Sequence, residues 1–430
     1  MYNDFILKGN FIYCNEHKEL VICEDSYGIC IDGISQGIYK EIPEEFHGVN
    51  VIDYGNHLIL PGLVDLHVHA PQYGFRGIGF DCELIEWLNT HTFPVESRFS
   101  DEEYARRAYQ IFTDDLKNSA TTRAVIFGTI HEKSTRILME LLENTGLKTF
   151  VGKVNMDRNA PDYYIEKSTE ESVRETIRFI EEAQKTFKNT KPIVTPRFIP
   201  SCTDELMKAL ADLKKKYNLP MQSHLSENRE EIEWVKELCP WAKCYGEAYE
   251  KSGIMEGKYS SVMAHCVSST EEEIKLLKEQ GVFVAHCPKS NLNLMSGIAP
   301  VRTYMEKGIA VGLGSDVAGG ETLSVFEEMA KAIQVSKMYW RYIDNECKPL
   351  TIPEVLFLAT LGGGAFFGKV GSFEKGFEFD AIIIDDSQIK TQLDLNLEER
   401  LERLVYASGQ CTLVAKIVEG NPVVLDQVLR

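Results

Sequence analysis

The chain lacks C-x-x-C cysteine pairs and an excess of basic residues. Its 11 cysteines contain no C-x-x-C pair, which argues against a disulfide scaffold or a thiolate zinc site and favours reduced, buried thiols. A formal net charge of -19 over 430 residues leaves no basic surface for nucleic acid or anionic membranes. We therefore expect a small molecule as the partner, with no nucleic acid and no membrane.

The first residues also lack the features of a targeting segment. They contain no basic region followed by a long apolar run, so the sequence predicts neither a signal peptide nor a membrane span. On this basis we expect a cytoplasmic protein.

Short apolar segments alternate with polar, helix-like segments between about residues 60 and 318. This alternation is typical of parallel strands joined by crossover helices. Eight strands are predicted, which is the number that closes a (β/α)8 TIM-type barrel of the α/β class. They cover residues 63–70, 122–127, 148–155, 192–200, 220–226, 261–267, 282–288 and 309–316.

Helix signals lie between these strands. Asn228 with Glu231 three residues later forms a capping-box-like start, and Ser and Thr residues at 268–270 are cap candidates for a helix that ends near Gly281. Both helices have an apolar stripe, as the outer helices of such a barrel require.

The two ends of the chain have a different, β-rich pattern. Neither end is large enough for a core of its own, so we expect them to combine into one small β-sandwich beside the barrel. Gly420 and Asn421 predict a hairpin turn there. The predicted division is residues 1–59 for the first part of the sandwich, 60–367 for the barrel and 368–430 for the second part.

Two histidines lie two residues apart in the first predicted barrel strand. Because side chains alternate across a strand, Asp65, His67 and His69 share one face, which points into the barrel. The histidines come at the C-terminal end of the strand, where active sites of such barrels lie. The spacing fits two ligands of one metal ion, and it fits a pair of hydrogen-bonded core histidines equally well.

Three further predicted strands end in ionisable residues, namely His224, His265 and Asp316. Each by itself is explained as a satisfied buried histidine or as an aspartate that caps the next helix. Their shared position at one rim of the barrel is better explained by a metal site. Imidazole and carboxylate groups are zinc ligands, and a catalytic zinc site keeps one position for water.

Glu227 and Arg197 are further candidates near the same rim. Glu227 follows His224 by three residues, where its carboxyl group could shuttle protons without binding the metal, or could simply be an exposed acid at a helix N-terminus. Arg197 falls on the inner face of the fourth predicted strand. Its guanidinium needs an acceptor there, either a substrate carbonyl or an internal acid.

These segments resemble the amidohydrolase superfamily, and within it the guanine deaminase family. The His-x-His motif and the barrel pattern indicate the superfamily. The segments HAPQ at 69–72, PRFIPSC at 196–202 and HLSEN at 224–228 are narrower and indicate the deaminases of guanine. The resemblance implies hydrolysis of guanine to xanthine and ammonia in purine metabolism, by a cytoplasmic enzyme that forms a homodimer.

The resemblance also implies roles for individual residues. One Zn²⁺ per subunit would be bound by His67, His69, His224 and Asp316. Asp316 would take a proton from the attacking water, Glu227 would protonate the purine ring, and His265 would orient or polarise the attacked group. The residues that would line the substrate are His69, Ala70, Pro71, Gln72, Arg197, Phe198, His224, Glu227 and Asp316.

Several alternatives stay open at this point. Related deaminases and chlorohydrolases act on adenosine derivatives, cytosine or triazines, and an inactive scaffold would have lost the metal. A binuclear amidase would need a carboxylated lysine where this chain has Arg197. The H-x-E motif of a second zinc-deaminase fold has no C-x-x-C partner here. The segment at 120–131 departs from the family pattern, so Arg123 and His131 have no assigned role.

Overall fold

The computed structural model describes residues 4–256 and 260–424. Residues 425–430, the end of the predicted second β-rich part, lie outside the described residues. The strands are β1 (Phe5–Cys14), β2 (Leu20–Ile31), β3 (Ile34–Tyr39), β4 (Val51–Pro61), β5 (Leu63–His69), β6 (Thr121–Phe127), β7 (Lys148–Gly152), β8 (Val154–Asn155), β9 (Thr190–Pro192), β10 (Thr195–Pro196), β11 (Met221–Leu225), β12 (Ser261–His265), β13 (Phe283–His286), β14 (Val311–Leu313), β15 (Ala381–Asp385), β16 (Thr412–Val418) and β17 (Asn421–Val424).

The helices separate most of the central strands, as in an α/β protein. No helix in residues 4–256 and 260–424 is long and apolar enough to cross a membrane. The helices are α1 (Leu84–Trp87), α2 (Phe93–Glu96), α3 (Glu102–Asn118), α4 (Glu132–Glu143), α5 (Thr169–Thr186), α6 (Asp204–Tyr217), α7 (Arg229–Leu238), α8 (Tyr245–Ser252), α9 (Glu271–Glu279), α10 (Pro288–Asn293), α11 (Val301–Glu306), α12 (Val325–Tyr342), α13 (Ile352–Phe357) and α14 (Leu397–Ala407).

Strands from both ends of the chain share one seven-stranded sheet, in the order β17-β16-β15-β4-β1-β2-β3. Alternate residues of its central strands face two different cores. Ile59 and Ile383 pack with the aromatic cluster of the sheet itself, whereas Leu58, Leu60 and Ile384 pack against the main core of the chain. The sheet is therefore apolar on both faces at its centre, which explains why its strands contain long apolar runs.

The central strands form two parallel four-stranded sheets and a short pair. The sheets have the orders β5-β6-β7-β9 and β11-β12-β13-β14, and β8 pairs with β10. A parallel bridge joins Val194 to Met221 of β11. Beyond β14, the amide of Asp316 donates to the carbonyl of His67 at 2.8 Å, and the amide of His69 donates to the carbonyl of Val317 at 3.0 Å. The carboxyl ends of β5, β11 and β12 and the segment after β14 therefore lie close together.

Two predicted strands are shorter in the structure. The fourth, predicted at 192–200, is reduced to β9 and β10, and a 3₁₀ turn follows at Ile199–Ser201. Pro192, Pro196 and Pro200 explain the interruption because proline has no amide hydrogen for a strand ladder. The eighth ends at Leu313, so Asp316 lies in the following loop and not at the strand end.

The predicted helix and hairpin signals agree with the local geometry. Asn228 and Glu231 form a capping box, and Thr270 caps α9 by accepting from the amide of Glu273. The β16–β17 turn consists of Glu419 and Gly420, with φ of 48° and 71°. Two positive φ values are what a tight hairpin turn needs. The turn lies one residue earlier than predicted, because Asn421 is the first residue of β17 and not part of the turn.

Candidate active site

Five of the predicted site residues come from three strands and one loop. His67 and His69 end β5, His224 lies in β11 and His265 ends β12. Asp316 comes from the loop after β14 and is buried. The sequence separates these residues by up to 249 positions, and the parallel strand order brings them to one rim.

The backbone is strained around this rim. Ser226, His265, Cys266 and Asp316 all have positive φ, between 45° and 72°. Such values are uncommon for residues other than glycine and cost free energy, and they concentrate at functional sites. The main core and the hydrogen bonds around the strand ends hold this conformation.

The side chains of the rim converge on one small volume. The Nε2 atom of His69 lies 3.2 Å from the Nε2 atoms of both His67 and His224. The carboxylate of Asp316 lies 3.1 Å from Nε2 of His67 and 3.5 Å from Nε2 of His69. The structure therefore brings together the four residues that were predicted as metal ligands.

The hydrogen bonds of these histidines indicate which nitrogens carry lone pairs. Nδ1 of His224 lies 2.7 Å from the carbonyl of Arg197, which accepts only, so Nδ1 is the donor and Nε2 is bare. A bare Nε2 that faces another imidazole nitrogen in a buried site needs a cation between them. The ring nitrogens of His67, His69 and His224 form one group that could hold a metal ion, and His67, His265 and Asp316 form a second group that shares His67. Imidazole and carboxylate ligands both fit Zn²⁺.

Burial sets the charge of these groups. Burial lowers the pKa of His69 and of His224 well below the usual range, and the neighbouring His67 adds to the effect. Neutral imidazoles are the form that binds a metal. Burial alone would raise the pKa of Asp316, but His67 and His265 more than offset it, so this pKa lies below its usual range and the group is a carboxylate.

Glu227 and His265 lie beside this cluster. The Oε2 atom of Glu227 is 3.4 Å from Nε2 of His265, and its Oε1 has no hydrogen-bond partner among residues 4–256 and 260–424. Burial, and then the charge of Asp316, raises the pKa of Glu227 well above its usual range. His265 binds the side chain of Asn291 through Nδ1 at 2.9 Å, and burial lowers its pKa to about 4. The arrangement pairs a protonated carboxyl group with a neutral imidazole.

A pocket lies directly over these groups. Eight of the predicted residues contribute to its wall. Ala70 and Pro71, in a buried 3₁₀ turn, and the buried His67 are not part of the wall. The sequence reasoning missed four apolar wall residues, because apolar side chains on short helices give the same signal as core residues. The wall consists of His69, Gln72, Leu84, Trp87, Leu88, Arg197, Phe198, His224, Glu227, His265, Leu294 and Asp316.

Arg197 binds an internal acid, which was one of its two predicted acceptors. Its Nη1 atom lies 2.8 Å from Oε2 of Glu96, and Nε2 of Gln72 donates to Oε1 of the same carboxylate at 2.8 Å. Glu96 was not among the predicted site residues, because no strand or helix period in the sequence marks it. Its role follows only from the tertiary contact.

The two residues without an assigned role lie away from the pocket. Arg123 binds Asp380 and Glu378 at 2.7 Å each, at the opposite end of the strands. His131 precedes α4, its ring stands 5.8 Å from that of Tyr164, and burial lowers its pKa to about 4. Neither side chain belongs to the pocket wall.

The sequence was also compared with known families and proteins. Residues 58–423 match the model of the amidohydrolase family. The chain belongs to the amidohydrolase family. Guanine deaminase of Mus musculus is 46% identical over 343 residues, which are 78% of this chain and 74% of that protein. Guanine deaminase of Dictyostelium discoideum is 37% identical over 443 residues, with 97% and 98% covered.

Solved structures give the same relationship. A crystal structure of guanine deaminase from C. acetobutylicum, with guanine bound in its active site, has a TM-score of 0.95 and 44% identity, and the match covers 98% of this chain and 100% of that one. This member of the amidohydrolase family is an enzyme of the deaminase class. The resemblance found in the sequence is thereby confirmed. An adenosine deaminase from Xanthomonas campestris with bound zinc, at 22% identity and a TM-score of 0.83, shares the fold.

Proposed function

We propose that the chain is a zinc-dependent guanine deaminase, which converts guanine and water to xanthine and ammonia. The observation that carries this proposal is the convergence of three imidazole nitrogens and one carboxylate under a pocket with a polar wall. The named substrate of its relatives supports guanine in particular. One Zn²⁺ per subunit would be held by His67, His69, His224 and Asp316.

A zinc ion bound to this ligand set would supply a water that ionises near neutral pH. Asp316 would accept the proton of that water, because its carboxyl group is ionised in the site. The attack is at C2 of guanine, the carbon that bears the amino group. Asp316 also touches His265 at 3.7 Å, so this imidazole orients the carboxylate and the attacked carbon.

Glu227 is the general acid in this proposal. Its raised pKa keeps a proton on the carboxyl group, and that proton goes to the ring nitrogen next to C2 as the carbon becomes tetrahedral. Asp316 would then give the proton that it took from water to the amino group, ammonia would leave, and the hydroxyl proton on C2 would return to Glu227 as the carbonyl of xanthine forms. Glu227 thus moves protons without binding the metal.

Substrate recognition is assigned to the polar and aromatic wall. Arg197 and Gln72 would bind the heteroatoms at the purine edge, and Phe198 would pack on the ring face. His69, His224 and the turn that contains Ala70 and Pro71 would shape the floor beside C2.

Xanthine formation from guanine, followed by absorbance, tests this function. We expect turnover in zinc-loaded protein, loss after chelation and recovery on adding zinc back. Adenine and cytosine with ammonia detection serve as comparison substrates. Equal rates on either of these would contradict guanine as the substrate and favour a related deaminase. Less than half an equivalent of zinc after expression in zinc-rich medium, with no ammonia release, would favour an inactive scaffold.

The finer architecture belongs to the same proposal. We propose that residues 60–367 form a closed (β/α)8 barrel and that residues 1–59 and 368–430 form one β-sandwich domain. The hydrogen bonds that join His67 and His69 to the segment after β14 support closure. A homodimer in the cytoplasm is proposed from the family resemblance, and the mass of the protein in solution tests the dimer.

A further inference from the structure

Glu96 is a buried carboxylate that does not reach the pocket. It ends α2, and its exposed fraction is 0%. Each pocket residue that it contacts donates a hydrogen bond to it. Its Oε1 accepts from Gln72 at 2.8 Å and from Nη2 of Arg197 at 3.4 Å, and its Oε2 accepts from Nη1 of Arg197 at 2.8 Å and from the hydroxyl of Tyr164 at 2.7 Å.

This set of donors saturates the carboxylate. An ionised carboxyl group has about four lone-pair positions, and all are used within the protein. Glu96 therefore has no acceptor left for a substrate. Any effect of Glu96 on the reaction must pass through the two wall residues that it binds, Arg197 and Gln72.

The first consequence is a fixed orientation of Gln72. Its Nε2 must face Glu96, which only accepts, and its Oε1 must face the amide of Ala318, which donates at 3.2 Å. A flipped amide would lose both hydrogen bonds. Arg197 is held in a similar way, by two contacts to one carboxylate and by the ring of Phe93, 5.1 Å from its guanidinium carbon. Both wall residues thus present one fixed pattern of polar atoms.

The second consequence concerns charge. Arg197 is buried beside the pocket, and Glu96 is its ion-pair partner. In a site with little water an unpaired guanidinium would attract anions strongly. Xanthine carries a second ring carbonyl and loses a ring proton more readily than guanine does. A neutralised Arg197 accordingly favours the neutral substrate over the anionic product.

We propose that Glu96 is a positioning residue for purine recognition, which aligns Gln72 and Arg197 and neutralises Arg197 so that the pocket selects a neutral oxopurine. This inference rests on the proposed function, since guanine is taken as the substrate. Tyr164 supplies the fourth hydrogen bond and completes the group.

The main test is Glu96→Gln in the zinc-loaded enzyme. The amide keeps the shape of the carboxylate but offers a donor to a position where the protein already supplies donors, and it removes the charge. We expect KM for guanine to rise about tenfold or more, with a smaller change in kcat. At mildly alkaline pH, inhibition by xanthine should strengthen relative to inhibition by neutral hypoxanthine by about threefold or more.

A rescue variant and a matched control separate this role from a general effect on folding. Glu96→Asp keeps the charge, so it should restore the ratio of the two inhibition constants while KM stays raised. Glu166→Gln changes another buried, hydrogen-bonded acid, which lies away from the pocket. Glu166 pairs with Lys153 and accepts from the hydroxyl of Ser172 at 2.7 Å. It should leave both the KM and the ratio within about twofold of wild type.

A double variant covers the case in which Glu96→Gln does not fold. Glu96→Gln with Arg197→Gln leaves no unpaired buried charge, and its KM should exceed that of Arg197→Gln by clearly less than about tenfold, because only the contact with Gln72 is left for Glu96 to act through. A double variant with a KM about tenfold or more above that of Arg197→Gln would overturn the inference, and so would a folded Glu96→Gln enzyme with wild-type KM and ratio. Wild-type protein that forms no xanthine would instead defeat the proposed function, and calorimetry of hypoxanthine binding to wild type and Glu96→Gln would then test the positioning role separately.

Discussion

Two buried charged clusters at opposite ends of the central strands differ in how their polar atoms are satisfied. At the amino ends, the base cluster consists of Arg123, Glu378 and Asp380, and Asp380 also accepts from the amide of Glu419 at 2.7 Å. At the carboxyl ends, the rim cluster consists of His67, His69, His224 and Asp316. In the base cluster each charge has an ion-pair partner within the chain. In the rim cluster, ring nitrogens that carry no hydrogen face each other.

This difference teaches how burial should be interpreted. Arg123 and Asp380 of the base cluster are as buried as His67, His69 and Asp316 of the rim cluster, so burial by itself does not distinguish a structural ion pair from a reactive site. The base cluster joins the sheet of the chain ends to β6, and its ion pairs are complete without a ligand. The rim cluster is complete only with a cation. In α/β folds with parallel strands, residues at one end of the strands usually serve stability and residues at the other end serve chemistry.

The largest expected effect is the loss of the general acid at the rim. Glu227→Gln should lower kcat by about 10²–10⁴-fold, because Glu227 is the proposed donor of the proton to the purine ring. Zinc content should stay near that of wild type, since Glu227 is not among the proposed ligands. Steady-state kinetics and metal analysis measure the two effects. Glu230→Gln, at an exposed acid three residues further on, is the control, and a near-normal kcat in Glu227→Gln would remove the acid role.

The base cluster should respond in stability and not in chemistry. Arg123→Met leaves Asp380 buried without its cation, and we expect the free energy of unfolding to fall by about 3–5 kcal/mol. The kcat of the folded fraction should stay unchanged. Urea unfolding and kinetics at low temperature measure both quantities. A variant that kept its stability but lost activity would reverse the assignment of the two ends.

An intermediate effect is expected at Glu231, a buried acid in the first turn of α7. It accepts from the amide of Glu227 at 3.0 Å and from the hydroxyl of Tyr245 at 2.8 Å, and burial raises its pKa to about 7 from 4.5. The folded state therefore holds a proton that the unfolded state releases between these two values. Stability from this group is present below pH 4.5 and is lost as the pH rises through about 7.

Glu231→Gln tests this pH dependence. Glutamine cannot ionise, so the decrease in unfolding free energy between pH 4.5 and 7 should be smaller in the variant by roughly 2–3 kcal/mol. Denaturant unfolding of both proteins at several pH values within this window gives the difference. Parallel curves for the two proteins would show that Glu231 is ionised throughout.

The smallest effect is expected at a site that belongs to neither cluster. Thr270 caps α9 through one hydrogen bond to the amide of Glu273 at 3.3 Å. Thr270→Ala should reduce the free energy of unfolding by about 1 kcal/mol and leave KM and kcat unchanged. Thr270→Ser keeps the hydroxyl and is the matched control. A loss as large as that of Arg123→Met would mean that a helix cap outside both clusters costs as much as the buried ion pair. The stability change at Arg123 would then not distinguish the base cluster from an ordinary site.

The strand ends of the site could be predicted because strands have a simple period. The alternation in residues 63–70 already placed His67 and His69 on one face, and apolar runs before His224 and His265 marked the other two strands. The position of Asp316 was less accurate, since β14 ends at Leu313 and the loop beyond it adopts a left-handed conformation that no strand pattern indicates.

The wall of the pocket could not be predicted in the same way. Leu84, Trp87 and Leu88 lie on short helical turns, where an apolar residue that faces a cavity has the same pattern as one that faces the core. Glu96 is 101 residues from Arg197 in the sequence. A contact of that kind depends on the path of a loop, and a loop path is set by tertiary packing and not by local propensity.

The sequence by itself determined the residue types, the parallel strands and therefore the rim at which His67, His69, His224 and Asp316 meet. These features follow from local periods of two and 3.6 residues and from the rule that parallel strands end at one edge. Only the tertiary structure decided which nitrogens are bare, which acid neutralises Arg197 and that Arg123 is structural. The physical reason is that a buried charge bonds to whichever partner lies next to it in space. Many different loop paths can bring a partner there, so the local sequence does not determine it.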